Sequence, residues 1–315
     1  MRYRKLGNSG IDVSVIANGT WAMGNDFFGE VDEARAISAI HTSVENGVNL
    51  IDTAHAYGED CAAEKVVGKA LKGMRDKAVI ATKVGVLRAY GANYVKCSDP
   101  NVMRYELEES LRNLQTDYID LYQIHWPDHN TPLETALETM LRFKEEGKIR
   151  AIGVSNFSPD EIRTAVQVAD IASVQPPLSL LNRQSFEDGV LETCIENGLG
   201  VLTYGSLGGG ILSGKMKKVA VGGKELRGSF YPYYEEPMWS KCQQLLEVLG
   251  KIADGRGVST AQVSINWVLA QPGVTTALLG ATRPQTAMEN AKAADWELTA
   301  EELRVINDAY DGIMG

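Results

Sequence analysis

Residues 117–127 read DYIDLYQIHWP, and they give the clearest indication of the fold. Positions 119–124 form a short, largely apolar run, which is typical of a buried strand in a parallel sheet. His125 and Trp126 follow where that strand is expected to end. In an α/β barrel this is the point at which strands deliver side chains to the active face. The stretch therefore predicts a barrel strand that carries a functional histidine at its end.

Similar strand-like runs recur along the chain and alternate with amphipathic runs of helical period, which indicates repeated βα units. We predict eight strands, at residues 14–17, 50–52, 79–82, 119–124, 151–154, 172–174, 200–203 and 276–279. The amphipathic stretches cover residues 32–46, 62–72, 101–113, 133–146, 159–169, 187–197, 237–254 and 284–293. Eight such pairs favour a closed (β/α)8 TIM barrel, and we expect one domain over residues 1–315.

Two stretches break the rhythm of short connections. Residues 84–99 and 205–236 are rich in glycine and aromatic residues, and we predict long loops there on the C-terminal face of the barrel. Residues 261–270 and 298–310 are expected to form two further helices. Loops in this position usually shape a substrate pocket.

Composition excludes several kinds of partner. Lys and Arg number 31 against 41 Asp and Glu, so the net charge of -10 argues against binding of nucleic acid or an acidic membrane. No stretch approaches the roughly 18 apolar residues of a membrane span, and the N-terminus does not resemble a signal peptide. The four cysteines are far apart and include no CxxC pair. We therefore expect a cytoplasmic protein with unpaired thiols.

Four polar residues carry the chemistry that we predict: Asp52, Tyr57, Lys83 and His125. Each lies at or just past the end of a predicted strand, and the three strands are consecutive. A tyrosine acts as a proton donor near neutral pH when its pKa falls by roughly 3 units, and the adjacent Lys83 ammonium is the expected cause. Asp52 would keep that ammonium oriented, and His125 would hydrogen-bond a substrate carbonyl oxygen.

A set of ordered motifs resembles the aldo-keto reductase family over nearly the whole chain. The loop after Tyr204 is more similar to the bacterial general-stress and inositol-utilisation branch than to the mammalian aldose reductases. The matching segments are LIDTAHAYG (50–58), ATKVG (81–85), LEESLRNLQTDYIDLYQIHWP (107–127), GKIRAIGVSNF (147–157), SVQPPLSLLNR (173–183), LTYGSLGGGILSGK (202–215) and GATRPQTAMEN (280–290).

This resemblance implies an NAD(P)-dependent oxidoreductase that reduces an aldehyde or ketone, including carbonyls derived from sugars or polyols. The catalytic residues would be Asp52, Tyr57, Lys83 and His125, with Tyr57 as general acid and base. Trp21, Tyr57, His125 and Trp126 would contact the small-molecule substrate. The residues implied in cofactor binding are Thr20, Trp21, Asp52, Ser155, Asn156, Gln175, Tyr204, Gly205, Ser206, Leu207, Gly209, Lys215, Gly280, Thr282, Arg283, Glu289 and Asn290.

The choice of cofactor rests on the C-terminal motif. Thr286 stands where the family often has a basic residue or Gln, whereas Arg283 remains available for a 2′-phosphate. These residues leave the preference open, and the resemblance to the family implies NADP(H) as the favoured cofactor with NAD(H) as the alternative. Gly209, Gly214 and Lys215 also fit the GxxxxGK phosphate loop, but Met216 replaces the Ser or Thr that binds magnesium.

Other functions remain as alternatives. Lys83 could act as a Schiff-base nucleophile in a barrel lyase or aldolase, or the barrel could be a regulatory module that binds cofactor without turnover. His125 and His129 are four residues apart, but Pro127 lies between them and no third ligand is placed, so we predict no metal site. The oligomeric state, the physiological substrate and the reaction direction stay open.

Overall fold

The chain begins with an antiparallel hairpin and continues into a closed parallel barrel in its computed structural model. The structure describes residues 1–25, 27–88, 94–218 and 227–315. In chain order the strands are β1 (Tyr3–Lys5), β2 (Asp12–Ser14), β3 (Ile16–Gly19), β4 (Leu50–Asp52), β5 (Val79–Val84), β6 (Val86–Arg88), β7 (Tyr94–Lys96), β8 (Ile119–Ile124), β9 (Ile149–Ser155), β10 (Ile171–Gln175), β11 (Gly200–Thr203) and β12 (Val274–Gly280).

The helices surround this sheet and separate most of its strands. They are α1 (Glu33–Glu45), α2 (Ala62–Ala70), α3 (Pro100–Leu114), α4 (Leu133–Glu145), α5 (Pro159–Val168), α6 (Gln184–Glu187), α7 (Val190–Glu196), α8 (Arg227–Phe230), α9 (Met238–Arg256), α10 (Thr260–Leu269), α11 (Pro284–Lys292) and α12 (Ala300–Met314). The barrel order is β3-β4-β5-β8-β9-β10-β11-β12, closing from β12 onto β3, and every pair is parallel. The predicted (β/α)8 barrel is confirmed.

Successive side chains of each strand point alternately out of and into the barrel, so the apolar residues form two layers. The outward layer packs under the helices, and the inward layer fills the barrel with Ala17, Leu50, Ala81, Leu121, Ala151, Ala172, Leu202 and Leu278. The β1–β2 hairpin adds Leu6, Ile11 and Val13 to this interior cluster. Gly7 lets the hairpin approach, because a Cβ there would lie 2.3 Å from the Ala172 carbonyl oxygen. The hairpin therefore packs against the barrel interior, and it was not predicted from the sequence.

Helix boundaries follow local capping chemistry. Ser158 and Thr299 form capping boxes with Glu161 and Glu302 at the starts of α5 and α12. Gly47, Gly147 and Gly198 take positive φ after their helices, as the sequence predicts. The predicted helix at 187–197 is divided, because Gly189 takes a left-handed conformation between α6 and α7.

The two predicted long loops contain secondary structure of their own. In the stretch 84–99, β6 pairs with β7 as a hairpin, and residues 89–93 lie outside the described residues. In the stretch 205–236, a 3-10 helix (Gly208–Ser213), α8 and a second 3-10 helix (Pro232–Tyr234) are formed, and residues 219–226 lie outside the described residues. Both stretches follow the C-terminal ends of barrel strands.

Two further observations concern the whole of the described chain. No helix in residues 1–25, 27–88, 94–218 or 227–315 is long and apolar enough to cross a membrane. Cys61, Cys97, Cys194 and Cys242 are free thiols.

Candidate active site

Four polar side chains meet at the C-terminal end of consecutive barrel strands. Asp52 ends β4, Lys83 is the penultimate residue of β5, and His125 directly follows β8. Tyr57 lies in the turn that follows β4. Because β4, β5 and β8 pair side by side in parallel, their ends open on the same mouth. The structure thus brings together the four residues that the sequence predicts as the chemical group.

The Lys83 ammonium is the centre of this group. Nζ donates to Asp52 Oδ1 at 2.6 Å, to the Thr53 carbonyl oxygen at 2.8 Å and to the Tyr57 hydroxyl at 3.2 Å. Burial lowers the pKa of Lys83, and the Asp52 carboxylate opposes that shift. An ammonium that uses all three N–H groups in this way is a positioned cation and a poor nucleophile.

The second oxygen of Asp52 is held from the other side of the barrel. Gln175 Nε2 donates to Asp52 Oδ2 at 2.9 Å, and Gln123 Nε2 lies 3.3 Å from the same oxygen. Gln175 also donates to Gln123 Oε1 at 3.2 Å. Gln123 was missed in the sequence, although a signal was present. It lies two positions before His125, on the face of β8 that Leu121 presents to the barrel interior.

Charge and burial set the protonation of Tyr57 and His125. Burial, with the charge of Asp52, raises the pKa of Tyr57 well above 10.0. The sequence-based expectation of a lowered phenol pKa was therefore wrong, because exclusion of water and the nearby Asp52 charge both disfavour the phenolate. Burial and the charge of Lys83 lower the pKa of His125 well below 6.5. The site holds a neutral phenol beside a neutral imidazole.

The turn that carries Tyr57 is fixed by a close backbone contact. Gly58 has a φ of +85°, and a Cβ there would lie 2.4 Å from the Gly24 carbonyl oxygen. Thr20 holds the other end of the turn, since its Oγ1 donates to the Asp52 carbonyl oxygen at 3.0 Å. The sequence implied Thr20 in cofactor binding, and the structure gives its hydroxyl this backbone partner.

Aromatic rings surround the Tyr57 hydroxyl. The Trp21 ring is stacked against Tyr57 with centroids 6.1 Å apart, and the His125 ring meets Tyr57 edge-on at 5.7 Å. Phe27, Phe28 and Phe230 pack around Trp21. Trp126, by contrast, is 38% exposed, and the Lys96 ammonium lies 4.4 Å from its ring centre. Trp21 is thus part of the inner wall, while Trp126 lies further out beneath the β6–β7 hairpin.

The ends of β9, β10 and β11 form a second polar group. Ser155 Oγ donates to the Gln175 carbonyl oxygen at 2.8 Å, which links β9 to β10. Asn156 takes a left-handed φ of 61° and donates from Nδ2 to the His125 carbonyl oxygen at 3.0 Å. Tyr204, just after β11, donates its hydroxyl hydrogen to Asn156 Oδ1 at 2.8 Å. These residues extend the polar mouth from the catalytic candidates toward β11.

The loop after Tyr204 bends through glycines that adopt positive φ, including Gly205, Gly208 and Gly209. Nothing lies within 4 Å of the position of a Cβ at Gly205, so a ligand can approach the backbone there. Ser206 is buried with its hydroxyl 3.2 Å from Thr203 Oγ1, and Leu207 is half-buried. The Gly209 carbonyl oxygen accepts from the Arg227 guanidinium and the Tyr234 hydroxyl.

An ion pair joins this loop to α11. Lys215 Nζ contacts Glu289 Oε2 at 2.9 Å, although the two residues are far apart in the chain. Burial would raise the pKa of Glu289, but the hydrogen bonds from Lys215 and Ser259 and the charge of Lys215 together lower that pKa. The resemblance implied Lys215 in cofactor binding, whereas here its ammonium is held by a carboxylate. Asn290 is buried beside Glu289.

The end of β12 and the start of α11 complete the mouth. Gly280 ends β12, and nothing lies within 4 Å of a Cβ built there. Thr282 is half-buried, and Arg283 is the exposed N-cap residue of α11. Its guanidinium makes no ion pair with any residue that the structure describes. The predicted cofactor residues therefore lie at the ends of β3, β4, β9, β10, β11 and β12 and in the segments that follow β11 and β12.

The fold is a (β/α)8 barrel, and the site at its mouth is a polar group arranged around the buried Lys83. The family model "Aldo/keto reductase family" matches residues 15–311 of the chain. An aldo-keto reductase of Bacillus subtilis (strain 168), YhdN, is 38% identical over 98% of this chain and 93% of that protein. The NADH-specific methylglyoxal reductase of Escherichia coli (strain K12) is 30% identical over 99% of both chains.

Two solved structures are similar to this chain in both fold and sequence. The glycerol dehydrogenase AKR11B4 from Gluconobacter oxydans has a TM-score of 0.89 and 36% identity, covering 99% of this chain and 95% of that one. An aldo/keto reductase from Klebsiella pneumoniae in complex with NADP and acetate has a TM-score of 0.77 and 29% identity, covering 98% of this chain and 96% of that one.

The chain belongs to the aldo/keto reductase family, as its motifs predict. It is an NAD(P)-dependent oxidoreductase that acts on carbonyl compounds. The lyase and regulatory alternatives are not favoured.

Proposed function

We propose that the protein reduces a small aldehyde or ketone to the alcohol, with Tyr57 as proton donor and one barrel domain over residues 1–315. The observation that carries this proposal is the 3.2 Å contact from Lys83 Nζ to the Tyr57 hydroxyl, with Asp52 on the far side of the ammonium. The cation holds the phenol in place and stabilises the negative charge that develops as its proton leaves.

Protonation states support reduction. Tyr57 keeps its proton at neutral pH because burial raises its pKa, so a donor is present when the substrate binds. His125 is a neutral imidazole, and it is proposed to donate a hydrogen bond to the substrate carbonyl oxygen.

The mouth suits an extended dinucleotide. Open space above Gly205 and Gly280 allows the backbone to approach a bound group, and Arg283 presents an exposed guanidinium at the start of α11. We propose Ser155, Asn156 and Gln175 for the carboxamide end. When bound, the reduced nicotinamide supplies the hydride.

NADP(H) is the favoured cofactor and NAD(H) the alternative. Arg283 supports the former, because a guanidinium can contact a 2′-phosphate bidentately. Among the relatives, one structure holds NADP and one enzyme is NADH-specific, so the family accepts both. Lys215 is proposed to help at the phosphates after exchanging its contact with Glu289.

For the substrate we propose a small oxygenated carbonyl compound, including those derived from sugars or polyols. Methylglyoxal reduction and glycerol dehydrogenation are the activities of two relatives. Trp21 is proposed as the inner wall of the pocket, and Trp126 as an outer contact. We further propose a cytoplasmic location. We also propose that the protein has no nucleic-acid or membrane partner, because its net charge of -10 disfavours binding to either.

The test compares Tyr57→Phe with the control Tyr3→Phe. The control removes the hydroxyl of an exposed tyrosine that is not part of the candidate site. Loss of reduced-nicotinamide absorbance is followed with methylglyoxal, glyceraldehyde and an aldose, using each cofactor. Tyr57→Phe should lower kcat by about 10²–10⁴-fold with cofactor affinity unchanged. Wild-type rates in Tyr57→Phe would remove Tyr57 from the mechanism. Borohydride trapping of substrate on Lys83 would instead support the Schiff-base alternative.

A further inference from the structure

A cluster of metal-binding residue types lies beside the catalytic group but takes no part in the proposed reaction. His55 and Cys61 flank Tyr57 in the segment after β4, and α3 contributes Glu106 and Glu109. One ligand atom from each of His55, Cys61 and Glu109 lies within 4.8 Å of the other two. Glu109 Oε2 is 3.1 Å from His55 Nε2.

Glu106 adds an independent observation. It has no exposed surface, and its Oε2 accepts a hydrogen bond from the Gly85 amide at 2.8 Å. Its Oε1 lies 3.3 Å from His55 Nδ1, which is an ion-pair distance when the ring is protonated. This oxygen is directed at the ring nitrogen opposite Glu109.

We propose that His55, Cys61 and Glu109 bind Zn²⁺, with Glu106 orienting the imidazole from its other nitrogen. Imidazole, thiolate and carboxylate are the ligands that Zn²⁺ takes, and three of them leave a fourth position for water. A carboxylate on the second ring nitrogen is the usual partner of a metal-bound histidine. Mg²⁺ and Ca²⁺ prefer oxygen ligands and are disfavoured by the histidine and the cysteine.

The geometry is close to that required. Ligand atoms in a tetrahedral zinc site are roughly 3.5 Å apart, given bond lengths of about 2.0–2.3 Å. The present separations of up to 4.8 Å would have to contract when the ion binds. Loss of the Cys61 proton leaves a thiolate and the Glu109 carboxylate, whose two negative charges balance the dication.

The consequence would be a clip between the Tyr57 segment and α3. Within residues 55–61, one ligand precedes Tyr57 and the other follows it. Glu109 lies on a 15-residue helix that packs against the barrel. A bound ion would therefore restrict the turn that holds the proton donor. The competing interpretation is an imidazolium held between two carboxylates, which predicts no metal binding at this site.

Cobalt(II) is the probe, because it occupies tetrahedral zinc sites and absorbs when bound to thiolate. The full chain, treated with chelator, is titrated with Co²⁺ and followed by absorption. Wild type should bind one Co²⁺ per chain with a thiolate-to-cobalt charge-transfer band. Cys61→Ser should lose that band, whereas the matched control Cys97→Ser should keep it, because Cys97 is a free thiol outside the cluster.

A second variant leaves the thiol in place and guards against misfolding of Cys61→Ser. Glu109→Gln changes a side chain that is 30% exposed, so the fold should tolerate it. We expect at least tenfold weaker Co²⁺ binding in Glu109→Gln, and a rise in melting temperature with Zn²⁺ for wild type that Glu109→Gln lacks. An absent band in wild type, an unchanged band in Cys61→Ser, or unchanged affinity in Glu109→Gln would each overturn the proposal. None of these readouts depends on carbonyl reduction.

Discussion

Gln175 donates a hydrogen bond to Asp52 across the mouth of the barrel, with 2.9 Å between Gln175 Nε2 and Asp52 Oδ2. The two residues end β10 and β4, which are not neighbours in the sheet. The contact leaves Asp52 Oδ1 to Lys83 and so fixes which oxygen faces the ammonium. A residue that the sequence suggested only for cofactor binding therefore also supports the candidate proton donor.

The first prediction concerns this contact. Gln175→Met removes the donor, and hydrogen bonds to charged groups contribute about 1.5–3 kcal/mol. We expect unfolding free energy to fall by about that amount and kcat/KM by about tenfold, measured by urea unfolding and carbonyl reduction. Gln167→Met on the exposed side of α5 is the matched control. Equal behaviour of the two variants would contradict the supporting role.

The second prediction concerns the buried Lys83–Asp52 pair. Lys83→Met or Asp52→Asn leaves one charged partner buried, which costs about 3–5 kcal/mol. The double variant should lose less stability than the sum of the two single variants. Lys5→Met, in the exposed Lys5–Asp12 pair, should change stability by only about 0–1 kcal/mol. Urea unfolding of wild type and the four variants tests this. Strict additivity of the two single changes would show that Lys83 and Asp52 are not coupled.

The third prediction concerns the turn that carries Tyr57. Gly58 and Gly29 both have a φ of +85°, but only a Cβ at Gly58 would collide with the Gly24 backbone, whereas nothing lies within 4 Å at Gly29. Gly29→Ala should cost about 1 kcal/mol for its conformation alone. Gly58→Ala should cost more and should also lower kcat. Thermal unfolding and initial rates distinguish the two, and equal losses would show that the close contact is unimportant.

The fourth prediction concerns cofactor preference. Arg283→Ala removes an exposed guanidinium at the start of α11, and we expect KM for NADPH to rise by about tenfold or more. KM for NADH should change little, because NADH lacks the 2′-phosphate. Arg304→Ala, on exposed α12, serves as the control for loss of one surface charge. An equal rise in KM for both cofactors would mean that Arg283 does not contact the 2′-phosphate.

The fifth prediction concerns pH. The pKa of His125 is lowered on folding, so below about pH 6.5 the unfolded chain binds a proton that the folded chain refuses. Wild type should therefore lose stability as pH falls below about 6.5, by up to about 1.4 kcal/mol per pH unit, until the folded pKa is reached. His125→Gln should lack this contribution. Urea unfolding between about pH 7 and pH 5 measures it, and parallel curves for the two proteins would contradict it.

The sequence predicted the barrel well because its strands are buried on both faces and its helices carry strong end signals. Ser158 and Thr299 caps and the glycines after α1, α4 and α7 act within a few residues, so they can be recognised locally. The two hairpins were missed for the opposite reason. Strands of three residues have little pattern of their own, and β1–β2 is stabilised by packing against the barrel interior.

The candidate site, like the fold, was predicted only in part from the sequence. Its residue types and their places at strand ends were visible in the sequence, but their partners were not. Lys215 pairs with Glu289 across the fold, and Gln123 joins Asp52 from two strands away. The raised pKa of Tyr57 was also out of reach, since it depends on burial and on a neighbouring charge.

By itself the sequence determined the family, the eight βα units and the identity of the polar residues at the barrel mouth, because these depend on local pattern and motif. Tertiary structure alone decided which oxygen of Asp52 faces Lys83, that Tyr57 stays protonated, and that His55, Cys61 and Glu109 approach one another. Those properties depend on distances and on exclusion of water between segments far apart in the chain, and only the closed barrel sets both.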